Sequence, residues 1–213
     1  MESNWATEHL QTIRTLMERS AVYRRALAPV MLMTGTMGLV AAGLGWALGI
    51  DAPQGFIGYW LGVGVFALIA AFLLARRQAL KAAESFWSPP TRRVTQALTP
   101  PLAAGLLIGI GLFFQVGSVD AQTAANLSLL WLPLGWTVLY GCAIHAAGFF
   151  MPRGMKLFGW VIIVAGCVCF TLGAPARLSR GVYGHGVMGF FFGLLHLAYG
   201  LYLGFTEKKT NES

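Results

Sequence analysis

Six long apolar runs, separated by short polar connections, dominate the sequence. None of them contains Asp, Glu, Lys or Arg. Apolar residues occupy all sides of each run, whereas the strands of a membrane barrel alternate apolar with polar positions. Because a hydrocarbon core of about 30 Å needs about 20 helical residues, each run is long enough to cross a bilayer as a helix. The runs are Ala26–Ile50, Ala52–Ala75, Val94–Val119, Ala121–Met151, Leu157–Ala176 and Gly181–Thr206.

These runs predict the fold class. A bilayer offers no water, so each backbone polar group has to be satisfied within its own helix. We therefore expect an all-α integral membrane protein, a six-helix bundle formed by residues 26–206 and followed by a short tail, residues 207–213. The predicted spans cover residues of about 28–50, 55–75, 100–118, 126–150, 157–175 and 185–205.

A segment of different character, residues 1–25, precedes the first span. Its larger apolar side chains fall on one broad face of a helix and its charged ones on the opposite face, which predicts an N-terminal amphipathic helix. The apolar face includes Trp5, Leu10, Ile13, Leu16 and Met17, and the polar face includes Glu8, Arg14 and Glu18. We interpret this leader as an interfacial helix on the cytoplasmic side. The alternative is a surface that docks a cytoplasmic protein partner or the cytoplasmic mouth of the chain's own helix bundle.

Composition agrees with a membrane protein and excludes other classes. Hydrophobic residues make up 56% of the chain and charged residues 11%, whereas a soluble domain has about 25% charged residues. The spans take up nearly all of the 213 residues, which leaves no room for a soluble catalytic domain. The formal charge of +7 lies beside apolar runs and not on a soluble face, so we expect no nucleic-acid binding.

The distribution of Lys and Arg predicts the orientation of the spans. Thirteen of the fifteen basic residues lie in the leader, the second connection, the fourth connection and the tail, which alternate to one side of the membrane. The other side has only Arg177 and Arg180. Since basic residues are in excess on the cytoplasmic side, both termini are predicted to be cytoplasmic.

The predicted spans lack fixed charge but are rich in glycine. All acidic residues lie outside them, which disfavours transporters that couple to protons or sodium through a carboxylate in the membrane. Glycines four residues apart, such as Gly189 and Gly193, predict close helix contacts within one chain or between copies in a homo-oligomer. Pro133 predicts a kink in the fourth helix.

Two histidines suggest one kind of cofactor chemistry. His145 lies toward the cytoplasmic end of the fourth span, and His196 lies in the sixth span at a predicted depth similar to that of Cys142, one turn from His145, and of Cys167. One hypothesis is that these two residues hold haem b between the two helices. His185 is eleven residues before His196 and shares its helix face, and Tyr199 adds a polar group beside it.

The cysteines suggest a second kind of site. Cys142 lies one turn from His145, and Cys167 and Cys169 lie in the fifth span. A soft-metal site formed by Cys142, His145 and one of the other two cysteines is the metal hypothesis. The ordinary alternative has histidines hydrogen-bonded between helices, cysteines as small apolar residues and no cofactor.

Three segments carry a resemblance that goes beyond composition. They read TEHLQTIRTLMERSAVYRRALAP at Thr7–Pro29, LYGCAIHAAGFFMPRGMKLFGW at Leu139–Trp160 and VMGFFFGLLHLAYGLYLGFTEK at Val187–Lys208. Together they resemble a family of small, uncharacterised bacterial multi-pass membrane proteins with six spans. The resemblance implies the bacterial cytoplasmic (inner) membrane and brings no activity with it. It draws attention to Tyr140, His145 and His196.

The functional expectation is a multi-pass membrane protein that is not an enzyme. It either passes a small neutral solute or serves as a membrane-bound interaction or regulatory subunit. The alternative is a membrane redox protein that binds haem b through His145 and His196. The expected partners are the lipid bilayer, a second copy at the glycine-rich helix faces and a cytoplasmic protein at the leader.

Overall fold

Six helices make up the computed structural model, which describes residues 27–81, 86–151 and 154–211, with side chains described as far as Thr206. All six are long and apolar enough to cross a membrane, and the described ranges contain no strand, which confirms the all-helical, six-span prediction. The leader lies outside the described residues. The helices are α1 (Leu27–Ala47), α2 (Pro53–Lys81), α3 (Pro89–Gln115), α4 (Ala121–Ala147), α5 (Gly154–Leu172) and α6 (Arg180–Thr206).

Two helices are longer than the spans predicted from their apolar runs. The helix α2 continues to Lys81 and α3 already begins at Pro89, so both extend past the basic residues that end the predicted spans. The apolar run determines which part of a helix lies in the hydrocarbon core, but the helix itself can continue beyond that run. The last helical turns of the chain likewise continue beyond α6, to Asn211.

Two glycines with positive φ end helices at one side of the bundle. Gly49 follows α1 with φ 63°, and Gly173 follows α5 with φ 68°. This left-handed conformation, common just after a helix, costs glycine little because it has no Cβ atom. At the same side, the Asp120 carboxylate caps α4 by accepting a hydrogen bond from the Thr123 amide at 3.0 Å. The hydrogen bonds from Thr123 lower the pKa of Asp120.

Glycine allows two pairs of antiparallel helices to approach closely. In the α1–α6 pair, a Cβ atom built on Gly35 would lie 2.6 Å from the backbone nitrogen of Leu197. In the α4–α5 pair, a Cβ atom on Gly159 would lie 2.6 Å from the backbone nitrogen of His145. These contacts bring one backbone against another, as expected where helices associate in lipid. Gly189 and Gly193, which are four residues apart, also face α1. This glycine pair therefore forms a helix contact within one chain.

Wide turns interrupt the two most buried helices. Residues Asn126–Trp131 of α4 and Gly189–Leu194 of α6 form π-type turns. Pro133 has no amide hydrogen, so the carbonyl of Leu129, four residues earlier, loses its usual donor. The wide turn shifts the backbone pairing to five residues, as in the hydrogen bond from the Leu132 amide to the Leu127 carbonyl. The helix accommodates the proline by this local widening.

The core lies around α4 and α6. In the most apolar window of each helix, 50% of the α4 residues and 44% of the α6 residues are buried, against 11% in both α2 and α3. The largest cluster of buried apolar side chains joins α1, α4, α5 and α6. The outer faces of α2 and α3 are left without protein contacts in the described part of the chain.

Replacement of Gly159 by leucine tests the close α4–α5 contact. The new side chain would meet backbone atoms of His145, so Gly159→Leu is expected to lower the free energy of unfolding by about 1–3 kcal/mol. Unfolding of the purified protein in mixed micelles of mild detergent and dodecyl sulfate measures the change. Gly43→Leu is the control, because no atom lies within 4 Å of a Cβ built on Gly43. Equal losses in the two variants would contradict this packing.

Candidate functional site

The buried polar site of the bundle is centred on His196 of α6, which is completely buried. Its Nδ1 atom lies 2.8 Å from the Phe191 carbonyl oxygen, within the wide turn of α6. Its Nε2 atom lies 2.7 Å from the Tyr140 hydroxyl of α4. Because a carbonyl can only accept, Nδ1 carries the proton and Nε2 accepts the hydrogen bond that Tyr140 donates. The imidazole thus links the backbone of α6 to α4.

Aromatic rings close this site against solvent. Phe158 of α5 meets the His196 ring edge-on, with centroids 5.4 Å apart, and Phe192 stacks on it at 6.2 Å. Tyr199 stacks on Phe158 with centroids 4.5 Å apart. Phe158 is therefore the ring that both Tyr199 and His196 contact. Because the His196 side chain is fully buried, its hydrogen bonds lie in a low-dielectric environment, where they are stronger than in water.

His185 is the centre of a second network, near the other end of α6. The Trp60 indole of α2 donates to its Nδ1 atom at 3.1 Å, and its Nε2 atom donates to the Ile50 carbonyl at 3.2 Å. Phe56 and Tyr59 enclose the ring with centroids 4.9 Å and 6.1 Å away. The network joins α2, α6 and the connection after α1. The sequence pattern placed His185 on the face of His196, but the two rings have separate partners.

His145 lies in a third environment, between α4 and α5. It is only half-buried, and its Nδ1 atom lies 3.3 Å from the Lys156 carbonyl oxygen. Its ring packs edge-on against Phe149 and Trp160, and none of the aromatic contacts of His196 includes these two residues. Haem coordination by His145 and His196 stays a prediction. It would require His196 to give up its hydrogen bond to Tyr140 or to the Phe191 carbonyl.

The three cysteines differ in exposure. Cys142 and Cys169 are half-buried and Cys167 is exposed on the outer side of α5. Within the ranges that the structure describes, no group of three or more His, Cys, Asp and Glu side chains could hold a metal ion. The set Cys142, His145 and Cys167 therefore has no geometric support, and the metal hypothesis stays a prediction.

Tryptophan and hydroxyl donors complete the polar contacts, and the sequence pattern did not single them out. The Trp136 indole donates to the Gly105 carbonyl at 2.8 Å and ties α4 to α3. The buried hydroxyls of Ser128 and Thr137 donate to carbonyl oxygens four residues earlier in α4. A tryptophan in an apolar run gives no signal of its distant partner, because the partner depends on packing.

No protein-family model, curated protein sequence or solved structure matches the chain.

The hydrogen-bond partners predict opposite neutral tautomers for the two buried histidines. His196 is expected to carry its proton on Nδ1, because the Phe191 carbonyl only accepts. His185 is expected to carry it on Nε2, because the Trp60 indole only donates to Nδ1. Solid-state ¹⁵N NMR of histidine-labelled protein in lipid distinguishes these forms, with His185→Asn and His196→Asn to assign the signals. The same tautomer at both sites would contradict the networks described above.

Proposed function

We propose that the protein is a non-enzymatic, membrane-embedded interaction subunit that binds a membrane helix of a partner through the outer face of α2 and α3. The proposal includes the bacterial cytoplasmic membrane and cytoplasmic termini. The observation that carries it is the contrast between a core whose buried polar groups are hydrogen-bonded within the protein and two helices of which only 11% of the apolar window is buried. The first feature disfavours solute passage, and the second favours a partner.

Solute passage needs polar groups that face a path through the bundle. The buried polar residues, His185, His196, Ser128 and Thr137, instead use their hydrogen-bonding groups within the protein. Among buried side-chain polar atoms in the described ranges, only the Tyr183 hydroxyl lacks a partner. One hydroxyl does not line a path. The polar groups are better explained as contacts that hold the helices in position.

The outer face of α2 and α3 combines large apolar side chains with unfilled glycines. Phe66 of α2 and Leu107 of α3 are both 67% exposed. Gly62 lies one helical turn from Phe66, and Gly111 lies one turn from Leu107; neither glycine has an atom within 4 Å of its Cβ position. Since lipid contact alone does not favour glycine, and glycine is enriched where membrane helices touch, this face suits another helix better than it suits lipid alone.

Site-specific photocrosslinking in the native membrane tests the partner. A benzophenone amino acid at Phe66 or Leu107 is expected to give a discrete crosslinked product. The same amino acid at Leu157 or Val164 serves as the control, because these α5 residues are also exposed but belong to a different face. A product with twice the mass of the chain identifies a second copy, and any other discrete mass identifies a different polypeptide. Absence of products, or equal products from both faces, would contradict the proposal.

An osmotic assay separates this proposal from solute passage. Liposomes that contain the purified protein are expected to swell in glycerol or urea at the rate of protein-free liposomes, because the buried polar groups are already paired. Light scattering after rapid mixing measures the rate. Faster swelling that Trp60→Ala or Tyr140→Phe alters would instead support a path through the bundle.

A further inference from the structure

A small basic pocket lies at the connection between α2 and α3, away from the buried histidines. It has a cavity volume of about 310 Å³ and is lined by Trp87, Pro89, Arg92, Arg93 and Gln96. Both arginines lie in the first turns of α3, immediately before the charge-free run that starts at Val94. The pocket therefore lies where the helix enters the apolar region.

The charge around this pocket is strongly positive. Arg92 and Arg93 are exposed, and neither forms an ion pair with another described residue. The end of α2 adds Arg76, Arg77 and Lys81, and Glu84 is the only acidic residue between Arg76 and Arg93 in the sequence. Two guanidinium groups that no described carboxylate pairs with provide donors with the planar geometry that fits phosphate oxygens.

The helix N-terminus itself contributes little to anion binding here. Pro89 and Pro90 occupy its first positions and have no backbone N–H groups. The Ser88 hydroxyl is already hydrogen-bonded with the Thr91 hydroxyl at 3.0 Å. An anion in the pocket would consequently be held by the arginine side chains, with Gln96 as an additional donor.

The apolar side of the pocket points to a lipid and not to a free phosphate. Trp87 is 56% exposed and packs at 6.1 Å on Phe86, which in turn meets Phe72 edge-on at 5.1 Å. Indole rings favour the headgroup level of a bilayer. Leu80 and Phe72 of α2 are also exposed and offer apolar contact to acyl chains.

We propose that this pocket binds the headgroup phosphate of an anionic phospholipid, with Arg92 and Arg93 on the phosphate and Trp87 beside the glycerol and upper acyl region. The predicted orientation places the pocket in the cytoplasmic leaflet, where anionic lipids attract basic segments next to membrane helices. The site does not depend on the proposed α2–α3 partner. All the residues that line the pocket belong to one chain.

The test compares two double variants with the same loss of charge. Arg92→Gln with Arg93→Gln removes the pocket donors, and Arg76→Gln with Arg77→Gln removes two exposed arginines that do not line the pocket. Native mass spectrometry of the full chain, titrated with phosphatidylglycerol or phosphatidylcholine, measures lipid binding. The pocket variant is expected to bind phosphatidylglycerol at least about tenfold more weakly, since the loss of even one charge-assisted hydrogen bond to the phosphate lowers affinity by about tenfold or more. The control variant is expected to change less than about threefold.

Three results would overturn the proposal. Equal losses in the two variants would show diffuse attraction to a basic end of the protein. Unchanged binding in the pocket variant would exclude the arginines as donors. Inorganic phosphate that displaces phosphatidylglycerol at equal concentration would identify free phosphate, and not a lipid, as the ligand.

A second measurement keeps the test valid if the pocket variant does not fold. Phosphatidylglycerol with brominated acyl chains is expected to quench the part of the tryptophan fluorescence that Trp87→Phe removes. Brominated phosphatidylcholine at the same mole fraction should quench it less. Equal quenching by the two lipids would count against selectivity for the anionic headgroup.

Discussion

A polar side chain inside a hydrocarbon layer has to find its hydrogen-bond partners in the protein, because water is not there to supply them. His196 shows what this constraint does to the surrounding structure. It accepts from the Tyr140 hydroxyl on α4, and it donates to the Phe191 carbonyl in the wide turn of its own helix. The position of α6 against α4 depends on this arrangement, since a rotation of either helix would leave a buried polar group without a partner.

The same constraint explains why glycine and the wide turns occur together in this bundle. Pro133 opens the hydrogen-bond ladder of α4, because it has no amide hydrogen to donate. Close approach then requires small residues. A Cβ atom on Gly184 of α6 would lie 2.7 Å from the Leu129 carbonyl oxygen, which Pro133 leaves without its usual donor. Glycine at one helix and an opened turn at the other are parts of a single contact.

The sequence predicted the six helices because the hydrocarbon imposes a minimum apolar length, and that requirement is local. It did not predict their ends, and α2 extends to Lys81, because a helix is free to continue into water. The hydrogen-bond partners of the histidines could not be predicted from the sequence for a different reason. Trp60 and His185 are 125 residues apart, and only the packing of α2 on α6 brings them together. The resemblance drew attention to Tyr140, but the sequence pattern did not pair it with His196.

We propose that the buried polar groups hold the helices in position and do not bind or conduct a solute. A double-mutant cycle with Tyr140→Phe and His196→Leu measures their mutual stabilisation, with the free energy of unfolding in mixed micelles as the measured quantity. Interhelical hydrogen bonds in membranes contribute about 0.5–2 kcal/mol, so we predict a coupling energy in that range. Effects that add within about 0.3 kcal/mol would show that the two side chains do not stabilise each other, and would contradict a structural role for this hydrogen bond.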